Sequence, residues 1–407
     1  MAIRRLTNRH LANILILLDR KRNKTMTYEN YFPRGLAKGG AFCNREEERE
    51  RLNKNIKSKQ HTLIMSPRRY GKTSLVKAVA KETDLLFVET DLFVAMDAKH
   101  IEHQILMGIK KLIAEVSGSI EQTLSIMRDY FKKASTKWSV GTQGVNVFIQ
   151  PTENIPTATA IMEGLSALEA LLAKKKKRAI FFLDEVQTIG EVAEGKGIEG
   201  AIRHVAQEAT YLSFVFSGSN RHLLTNMFYD KARPLYKLCD RLILDRIEEK
   251  HYKKHINKLS QKRWGEILND TSFDMLFSLT ERHPFYMNSL CLKLWESDLK
   301  SIPTAKDIKY YWHKLVTEER QEIAKELSML NPGQRRILLA IARGTKKEFT
   351  GKEFIKTINM TGSSISKAVN LLVQFDYIEK LENGDYRLID PLISTALRLY
   401  FDNNADI

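Results

Sequence analysis

The sequence predicts an α/β protein with a parallel-sheet core, an all-helical region after it and a C-terminal winged helix. Three observations support this fold class. Short apolar runs alternate with helical patterns up to about residue 248, residues 250–328 have a helical pattern throughout, and three helical segments with a hairpin signal follow Asn331-Pro332-Gly333. Apolar strands that alternate with helices are typical of a parallel sheet covered on both faces.

The predicted domains follow from these patterns. They are a basic N-terminal extension (1–27), an α/β core (28–248), a helical lid (249–330) and a winged helix (331–407). A chain of 407 residues is long enough for two or three such units.

Five short apolar runs are the predicted core strands, because their length and β-branched or aromatic content favour buried strands over helices. They are residues 61–65, 85–90, 179–183, 212–216 and 241–244. Residues 135–157 break this rhythm with two glycines and two prolines around an apolar run, and we expect an insertion there that contains a hairpin.

The winged-helix prediction has its own signals. Helices are expected over 334–342, near 351–357 and over 362–374, where Thr361 precedes the helix start. Two short apolar segments then flank Asn383-Gly384, which is a strong hairpin turn signal. Three helices and a hairpin make a winged helix.

Composition narrows the class of protein. The three cysteines are far apart, so they form neither a disulfide framework nor a metal-ligand spacing, and a cytoplasmic location is expected. No apolar run approaches the 18 or more residues of a membrane span, the longest being 11–18. The first 25 residues carry seven Lys or Arg and one Asp. They fit a targeting peptide, a nucleic-acid arm or, the favoured interpretation, an extension upstream of a start at Met26.

The net charge of +16 suits a polyanionic partner, but the charge is unevenly distributed. Residues 231–263 hold eleven Lys or Arg against four acids, whereas residues 331–407 hold eleven against nine. Segment 231–263 is therefore a candidate DNA contact, with a solvated basic face as the equally weighted alternative.

A phosphate-binding loop is predicted at residues 66–73. Gly71-Lys72-Thr73 matches the end of the pattern Gly, four residues, Gly-Lys-Ser/Thr. By chance such a triplet occurs in roughly one chain in five of this length, so the context makes the prediction specific. A buried strand precedes the loop and a helix follows it, which directs the loop amides at a phosphate. The nucleotide-binding residues predicted here are Ser66, Pro67, Arg68, Arg69, Tyr70, Gly71, Lys72, Thr73 and Ser74.

The roles of these side chains follow from their chemistry. Lys72 brings a cation to the β- and γ-phosphate oxygens of ATP, and the Thr73 hydroxyl is a ligand for Mg²⁺. Asp184 and Glu185 end the strand 179–183, which places both carboxylates beside the phosphates at the carboxyl edge of the sheet. Asp184 is predicted to hold the Mg²⁺ water shell, and Glu185 to polarise the attacking water as general base.

A third element ends the next strand. Ser217-Gly218-Ser219-Asn220 follows the apolar run 212–216, so its polar side chains can reach the γ-phosphate and the attacking water. Ser217 and Asn220 are the predicted catalytic residues of this element, with Ser219 as a further candidate. The alternative is a plain polar turn.

Together these motifs resemble the AAA+/STAND class of P-loop ATPases, which belongs to the additional-strand (ASCE) group, and in particular the family known as archaeal ATPases, which also occurs in bacteria. Phe42-Cys-Asn-Arg45-Glu46 resembles the entry motif of that family, and Pro67 to Thr73 its usual P-loop. Asp184-Glu185-Val-Gln187, Ser217-Gly218-Ser219, Met227-Phe228, Pro234-Leu235-Tyr236 and Leu388-Ile-Asp390-Pro391 continue the match, from about residue 28 to 400.

The resemblance has two departures and two implications. Ser66 stands where a glycine is usual, and Arg282-His283-Pro284 lacks the glycine of a related Gly-x-Pro motif. Pro284 is expected to approach the nucleotide as that proline does, or alternatively to start a helix. Relatives complete the site with an arginine from a neighbouring subunit. If this chain forms a homo-oligomer, Arg233 and Arg241 are the candidate fingers, and the favoured alternative for each is an ordinary surface or salt-bridged arginine.

The winged helix invites a DNA-binding interpretation, with helix 362–374 in the major groove. Its candidate DNA contacts are Ser364, Lys367 and Asn370, beside Ser363 and Ser366. Only one of these is a cation, and phosphate contacts dominate affinity, so the domain alone would bind DNA weakly. The alternative is that the winged helix contacts protein or covers the nucleotide, as it does in STAND proteins.

Three functional hypotheses result. The first is a nucleotide-dependent switch that uses ATP and Mg²⁺ to regulate a signalling, defence or mobile-element system. The second is a DNA-binding ATPase of the origin-recognition or transposition-regulator kind. The third is a scaffold that binds ATP structurally and hardly turns it over.

Overall fold

The computed structural model describes residues 28–401, except for 42, 117–119, 135, 144–145, 153–154, 348 and 350. The predicted basic extension 1–27 and Phe42 of the entry motif lie outside the described residues. Of the helices in the described part, none is long and apolar enough to cross a membrane.

The core is a five-stranded parallel sheet, as predicted. Its strands are β1 (Thr62–Met65), β2 (Leu86–Asp91), β5 (Ala179–Asp184), β6 (Leu212–Gly218) and β7 (Asp240–Ile243). They lie in the order β2-β5-β6-β1-β7. Strand β6 therefore lies between the strand that leads into the phosphate loop and the strand that ends in Asp184, which is the arrangement expected of an additional-strand ATPase. Because every pair is parallel, all carboxyl ends meet at one edge.

Helices cover both faces of this sheet. They are α1 (Glu46–Lys57), α2 (Lys72–Thr83), α3 (Ala98–Glu115), α4 (Ile120–Phe131), α5 (Thr157–Lys175), α6 (Gln187–Glu191), α7 (Gly195–Glu208) and α8 (Arg221–Tyr229). Two separate apolar clusters result, one under α3, α5 and α7 and a smaller one under α1 and α2. The insertion contains the expected hairpin, in which β3 (Trp138–Gln143) pairs antiparallel with β4 (Asn146–Pro151).

The helical region consists of α9 (Glu249–Trp264), α10 (Asp270–Thr280), α11 (Pro284–Glu296), α12 (Ala305–Glu318) and α13 (Arg320–Ser328). The winged helix adds α14 (Pro332–Ala342), α15 (Lys352–Ile358), α16 (Gly362–Gln374), β8 (Ile378–Lys380), β9 (Tyr386–Leu388) and α17 (Pro391–Phe401). Thr361 caps α16 by accepting a hydrogen bond from the Ser364 amide at 3.3 Å.

These two regions share one apolar core, which we call the helical–winged-helix body (residues 247–401). A single cluster of buried side chains runs from Tyr252 in α9 to Leu397 in α17. The Trp312 indole in α12 also donates to the Thr395 hydroxyl in α17 at 3.0 Å. Phe32, which precedes the core in sequence, packs on this body against Trp295, with ring centroids 4.8 Å apart. The body therefore folds around one interior.

Candidate active site

The phosphate loop lies between β1 and α2, where the sequence predicts it. Gly71 has φ 91°, a left-handed conformation that favours glycine, and it starts α2. Arg69 has φ 65°, whereas Ser66 is not among the positive-φ residues. The serine at position 66 therefore meets no backbone strain, so its departure from the glycine pattern is compatible with the loop.

Lys72 is folded back on this loop. Its Nζ donates to the carbonyls of Ser66 and Pro67, both at 3.2 Å, and the side chain is buried. Burial lowers the pKa of Lys72, while the carboxylates of Glu185 and Asp184 oppose that shift. A cation held by two neutral carbonyls in a buried loop is poised to take an anionic partner.

Asp184 joins the phosphate loop to β6. We call β6 the sensor strand, because Ser217 and Asn220 at its carboxyl end are the residues predicted to reach the γ-phosphate. One carboxylate oxygen accepts from the Thr73 hydroxyl at 2.7 Å, and the other accepts from the Glu185 amide at 3.0 Å and from the Ser217 hydroxyl. Ser217 is fully buried, and its hydroxyl points at Asp184 through this hydrogen bond. Asp91, which pairs with Asp184 across β2 and β5, lies close by, and burial raises its pKa with help from the Asp184 charge. Sequence reasoning missed Asp91, although it ends a strand as Asp184 does.

Glu185 is held on the side of β6. Its Oε2 accepts from Gln187 Nε2 at 2.5 Å, from the Ser219 hydroxyl at 2.8 Å and from the Ser219 amide at 3.2 Å. Burial works to raise the pKa of Glu185, but Lys72 and these hydrogen bonds outweigh it, so the pKa lies below its usual value. The carboxylate is therefore ionised at neutral pH and able to accept a proton.

Packing explains why residue 218, between Ser217 and Ser219, is a glycine. A Cβ at Gly218 would lie 2.0 Å from the Gln187 side-chain oxygen, so only glycine leaves room for the side chain that holds Glu185. Asn220 follows this strand and caps α8, accepting from the Leu223 amide at 3.1 Å. Its contact with a γ-phosphate stays a prediction.

A cavity of about 340 Å³ opens over the phosphate loop. Residues 68–74 and Glu185 line this cavity together with Pro33–Ala37, Ile247, Tyr252 and Asn288. The Ala37 amide donates to the Ser74 hydroxyl at 3.1 Å, and the Asn288 side chain donates to the Pro33 carbonyl at 2.9 Å. Segment 33–37 is thus fixed between α2 and α11. Sequence reasoning missed this wall, since the segment carries no motif.

Pro284 fits both interpretations offered for it. It occupies the first turn of α11, where His283 caps the helix by accepting from the Phe285 amide at 3.3 Å, and it also lines the cavity. His283 packs edge-on against the Tyr70 ring at a centroid distance of 4.7 Å. Burial, with the charges of Arg246 and Arg69, lowers the pKa of His283 to about 3, so the ring is neutral.

Tyr70 connects the phosphate loop to the helical–winged-helix body. Its carbonyl accepts from Arg45 at 3.4 Å, and its hydroxyl accepts from Arg246 Nε at 3.3 Å. The other Arg246 nitrogens donate to Leu388 O at 3.3 Å, to Ile389 O at 3.1 Å and to the carboxylate of Glu281 at 2.5 Å. Arg246 was not predicted, because no local pattern marks it.

Two further arginines bridge the same boundary. Arg221, which follows the sensor residue Asn220, pairs with Asp376 at 3.1 Å and with Glu379 at 2.7 Å. Arg387 in β9 bonds Glu379 at 2.6 Å and Asp245 at 3.4 Å. We call the contacts of Arg221, Arg246 and Arg387 the junction. It joins both ends of the site, the phosphate loop and the sensor strand, to the winged helix.

The two predicted finger arginines differ in availability. Arg233 is paired within the chain to the fully buried carboxylate of Glu199. Arg241 lies on the edge strand β7, where it is exposed and stacks over Tyr229 at 5.5 Å. The predicted DNA contacts Ser364, Lys367 and Asn370 are all exposed on α16.

Comparisons with known proteins agree with this architecture. The model of the ATPase family associated with various cellular activities (AAA) matches residues 62–224, and a model described as a probable winged helix domain matches residues 322–398. A search of curated proteins gave no match.

Solved structures with a similar fold include the following two. The Walker-type ATPase Paby2304 of Pyrococcus abyssi aligns with a TM-score of 0.66 and 18% identity, over 90% of this chain and 99% of that one. The ORC2 protein of Aeropyrum pernix, in its ADPNP–ADP complexes, aligns with a TM-score of 0.52 and 14% identity, over 88% and 95%. The chain thus contains an AAA ATPase domain followed by a helical region and a C-terminal winged helix, as predicted.

Proposed function

We propose that this protein binds and hydrolyses ATP as a nucleotide switch, and that it acts as a regulator in a signalling, defence or mobile-element system. The AAA domain supports nucleotide binding. The predicted lysine, threonine and glutamate, Lys72, Thr73 and Glu185, line the cavity. The part of the cavity between segment 33–37 and Pro284 would take the nucleoside.

The residues at Asp184 fit Mg²⁺. The ion prefers hard oxygen ligands and is commonly bound through one or two carboxylates together with substrate phosphates. Thr73 Oγ1 and Asp184 Oδ2 lie 2.7 Å apart at the phosphate end, and the described residues contain no larger cluster of acids, cysteines or histidines that would favour another metal. When bound, Mg²⁺ would neutralise developing charge on the phosphates.

Hydrolysis would depend on Glu185. Its ionised carboxylate would take a proton from the attacking water, while Ser217 keeps Asp184 oriented and Asn220 faces the γ-phosphate. Gln187 and Ser219 hold Glu185 in this structure, so the carboxylate would turn from them toward the water. In a homo-oligomer, Arg241 of a neighbouring subunit would act as the arginine finger and bring its positive charge to the phosphates.

The observation that carries the switch is the path from Tyr70 through Arg246 to β9. Tyr70 belongs to the loop that is predicted to contact phosphate, and Arg246 donates both to the Tyr70 hydroxyl and to two carbonyls of the winged helix. A phosphate that displaces Tyr70 or Arg69 would therefore change how the winged helix sits on the core. Hydrolysis and release would reset it.

The test compares turnover and affinity in matched variants. Glu185→Gln should slow ATP hydrolysis by about 10²–10⁴-fold while ATP affinity stays within a few fold, because only proton transfer is lost. Glu191→Gln, an exposed glutamate nearby in sequence, is the control and should match the wild type. Phosphate release and isothermal titration calorimetry give the two numbers. Tight ATP binding with hardly any turnover in the wild type would favour the scaffold hypothesis instead, and a measurable turnover that Glu185→Gln leaves unchanged would refute the role of Glu185.

A second candidate function is a DNA-handling ATPase of the origin-recognition or transposition-regulator kind. The exposed face of α16, with Ser364, Lys367 and Asn370, and the basic segment 231–263 favour it. In that case DNA would stimulate ATP turnover, and the stimulation would fall steeply with salt.

A further inference from the structure

Four of the six exposed positions of helix α9 are lysines. It buries Tyr252, Ile256 and Leu259 in the helical–winged-helix body. Its exposed positions are Glu249, Lys250, Lys254, Lys258, Gln261 and Lys262. The four lysines are four residues apart, so they lie on one face of the helix. We call them the lysine face.

This arrangement does not stabilise the helix. Like charges four residues apart cost a few tenths of a kcal/mol per pair. Lys250 has a partner in Glu248, at 2.7 Å, and Lys253 on another face has one in Asp270, at 2.9 Å. Among the described residues, no carboxylate forms an ion pair with Lys254, Lys258 or Lys262. Because the ammonium groups of these three lysines have no carboxylate partner there, they are available to an external anion.

The last turn of α9 contacts the chain that precedes the core. Lys262 lies over the Tyr31 ring at 5.9 Å, and Arg263 donates to the Tyr28 hydroxyl at 2.8 Å. These contacts fix the C-terminal end of the lysine face.

We infer that the lysine face binds the phosphate backbone of double-stranded DNA without recognising its sequence. Its four lysines span about 18 Å at 1.5 Å per residue, and duplex DNA offers one negative charge per about 1.7 Å of axis. The face carries no exposed aromatic side chain between its lysines, whereas sites for single strands stack bases on aromatic rings.

This inference deepens the second candidate function and rests on it, but it does not require ATP turnover. It moves the main DNA contact from the winged helix to α9. The face is the strongest basic feature of segment 231–263, because Arg233 and Arg246 in the same segment are occupied by Glu199 and Glu281.

The test uses Lys254→Gln/Lys258→Gln, with Lys174→Gln/Lys177→Gln as a control of equal charge. The control lysines are exposed at the end of α5 and the turn before β5, at the opposite edge of the sheet from the cavity. Binding of a mixed-sequence duplex is measured by fluorescence anisotropy between 50 and 200 mM salt. The α9 variant should bind about 10–100-fold more weakly at 50 mM, and its log K against log salt slope should fall by about 2, since two phosphate contacts are lost.

The inference would be overturned if the α9 variant bound DNA as tightly as the wild type, or if the control variant lost the same DNA affinity. A loss of DNA affinity produced only by Lys367→Gln in α16 would overturn it too. Vesicles with anionic lipid are run alongside, and vesicle binding without DNA binding would also overturn it. ATP affinity and turnover are measured in every variant. A wild type that binds DNA but not ATP would refute the switch alone. Equal DNA binding by the wild type and the α9 variant would refute this inference alone, whereas a wild type that does not bind DNA would refute the second candidate function together with this inference.

Discussion

The interiors of the two bodies and the junction between them are built from different chemistry. The interiors are apolar: Phe181, Phe214 and Phe216 are fully buried in the core, as are Ile308 and Leu372 in the helical–winged-helix body. The junction instead consists of arginines paired with carboxylates and carbonyls. Buried apolar side chains have no favourable alternative in water, whereas arginines and carboxylates can be hydrated when they separate. From this difference we expect the junction to separate more readily than either interior unfolds.

The largest expected effect is a loss of stability caused by a cavity in the interior of the helical–winged-helix body. Ile308→Ala should lower the free energy of unfolding of the helical–winged-helix body by about 2–5 kcal/mol, because a fully buried side chain leaves a cavity. Because α12 and the winged helix share one core, both should unfold in the same transition under denaturant, followed by circular dichroism. Two separate transitions would contradict the shared core.

The next effect is a pH dependence that arises at His283, which packs against Tyr70 next to the junction. The pKa of His283 is about 3 in the folded chain, below its ordinary value of 6.5, so the unfolded chain binds the extra proton between these two pH values. The stability that neutral His283 provides is complete above pH 6.5 and is lost as pH falls toward 3. His283→Asn keeps a helix cap. Denaturant titrations should therefore show a flatter dependence for the variant between pH 4 and 6.5, and equal slopes would refute this role.

The smallest effect concerns a single ion-pair group. Arg221→Gln should cost about 1–2 kcal/mol in unfolding, since Asp376 and Glu379 are mostly buried but Arg221 remains partly solvated. The same change at Arg51, whose pair with Asp240 is exposed, is the matched control and should cost about 0–1 kcal/mol. Hydrogen exchange over residues 376–380 should rise only in the Arg221 variant. Unchanged exchange would show that Arg221 does not hold the winged helix.

Local patterns predicted much of this molecule. The five core strands, the helix 362–374 and the hairpin at Asn383-Gly384 are encoded by short-range periodicity and turn chemistry, and the structure confirms them. The proximity of the loop 66–73 to Asp184 could be predicted because the loop follows β1 and Asp184 ends β5, and the carboxyl ends of these strands share one edge. Segment 33–37, Gln187 against Gly218 and the Arg246 contacts were not, because each depends on residues distant in sequence or in space. The shared core of the helical region and the winged helix escaped prediction for the same reason.

The most direct test of the switch is hydrogen exchange of the backbone amides of residues 376–390, with no nucleotide, with ATP and Mg²⁺, and with ADP. We expect exchange in this segment to differ between the ATP and ADP states in Glu185→Gln, where ATP persists. In Lys72→Ala, which loses its phosphate contact, the difference should disappear. Identical exchange in all states, with nucleotide binding verified by calorimetry, would contradict the claim that the phosphate loop controls the position of the winged helix.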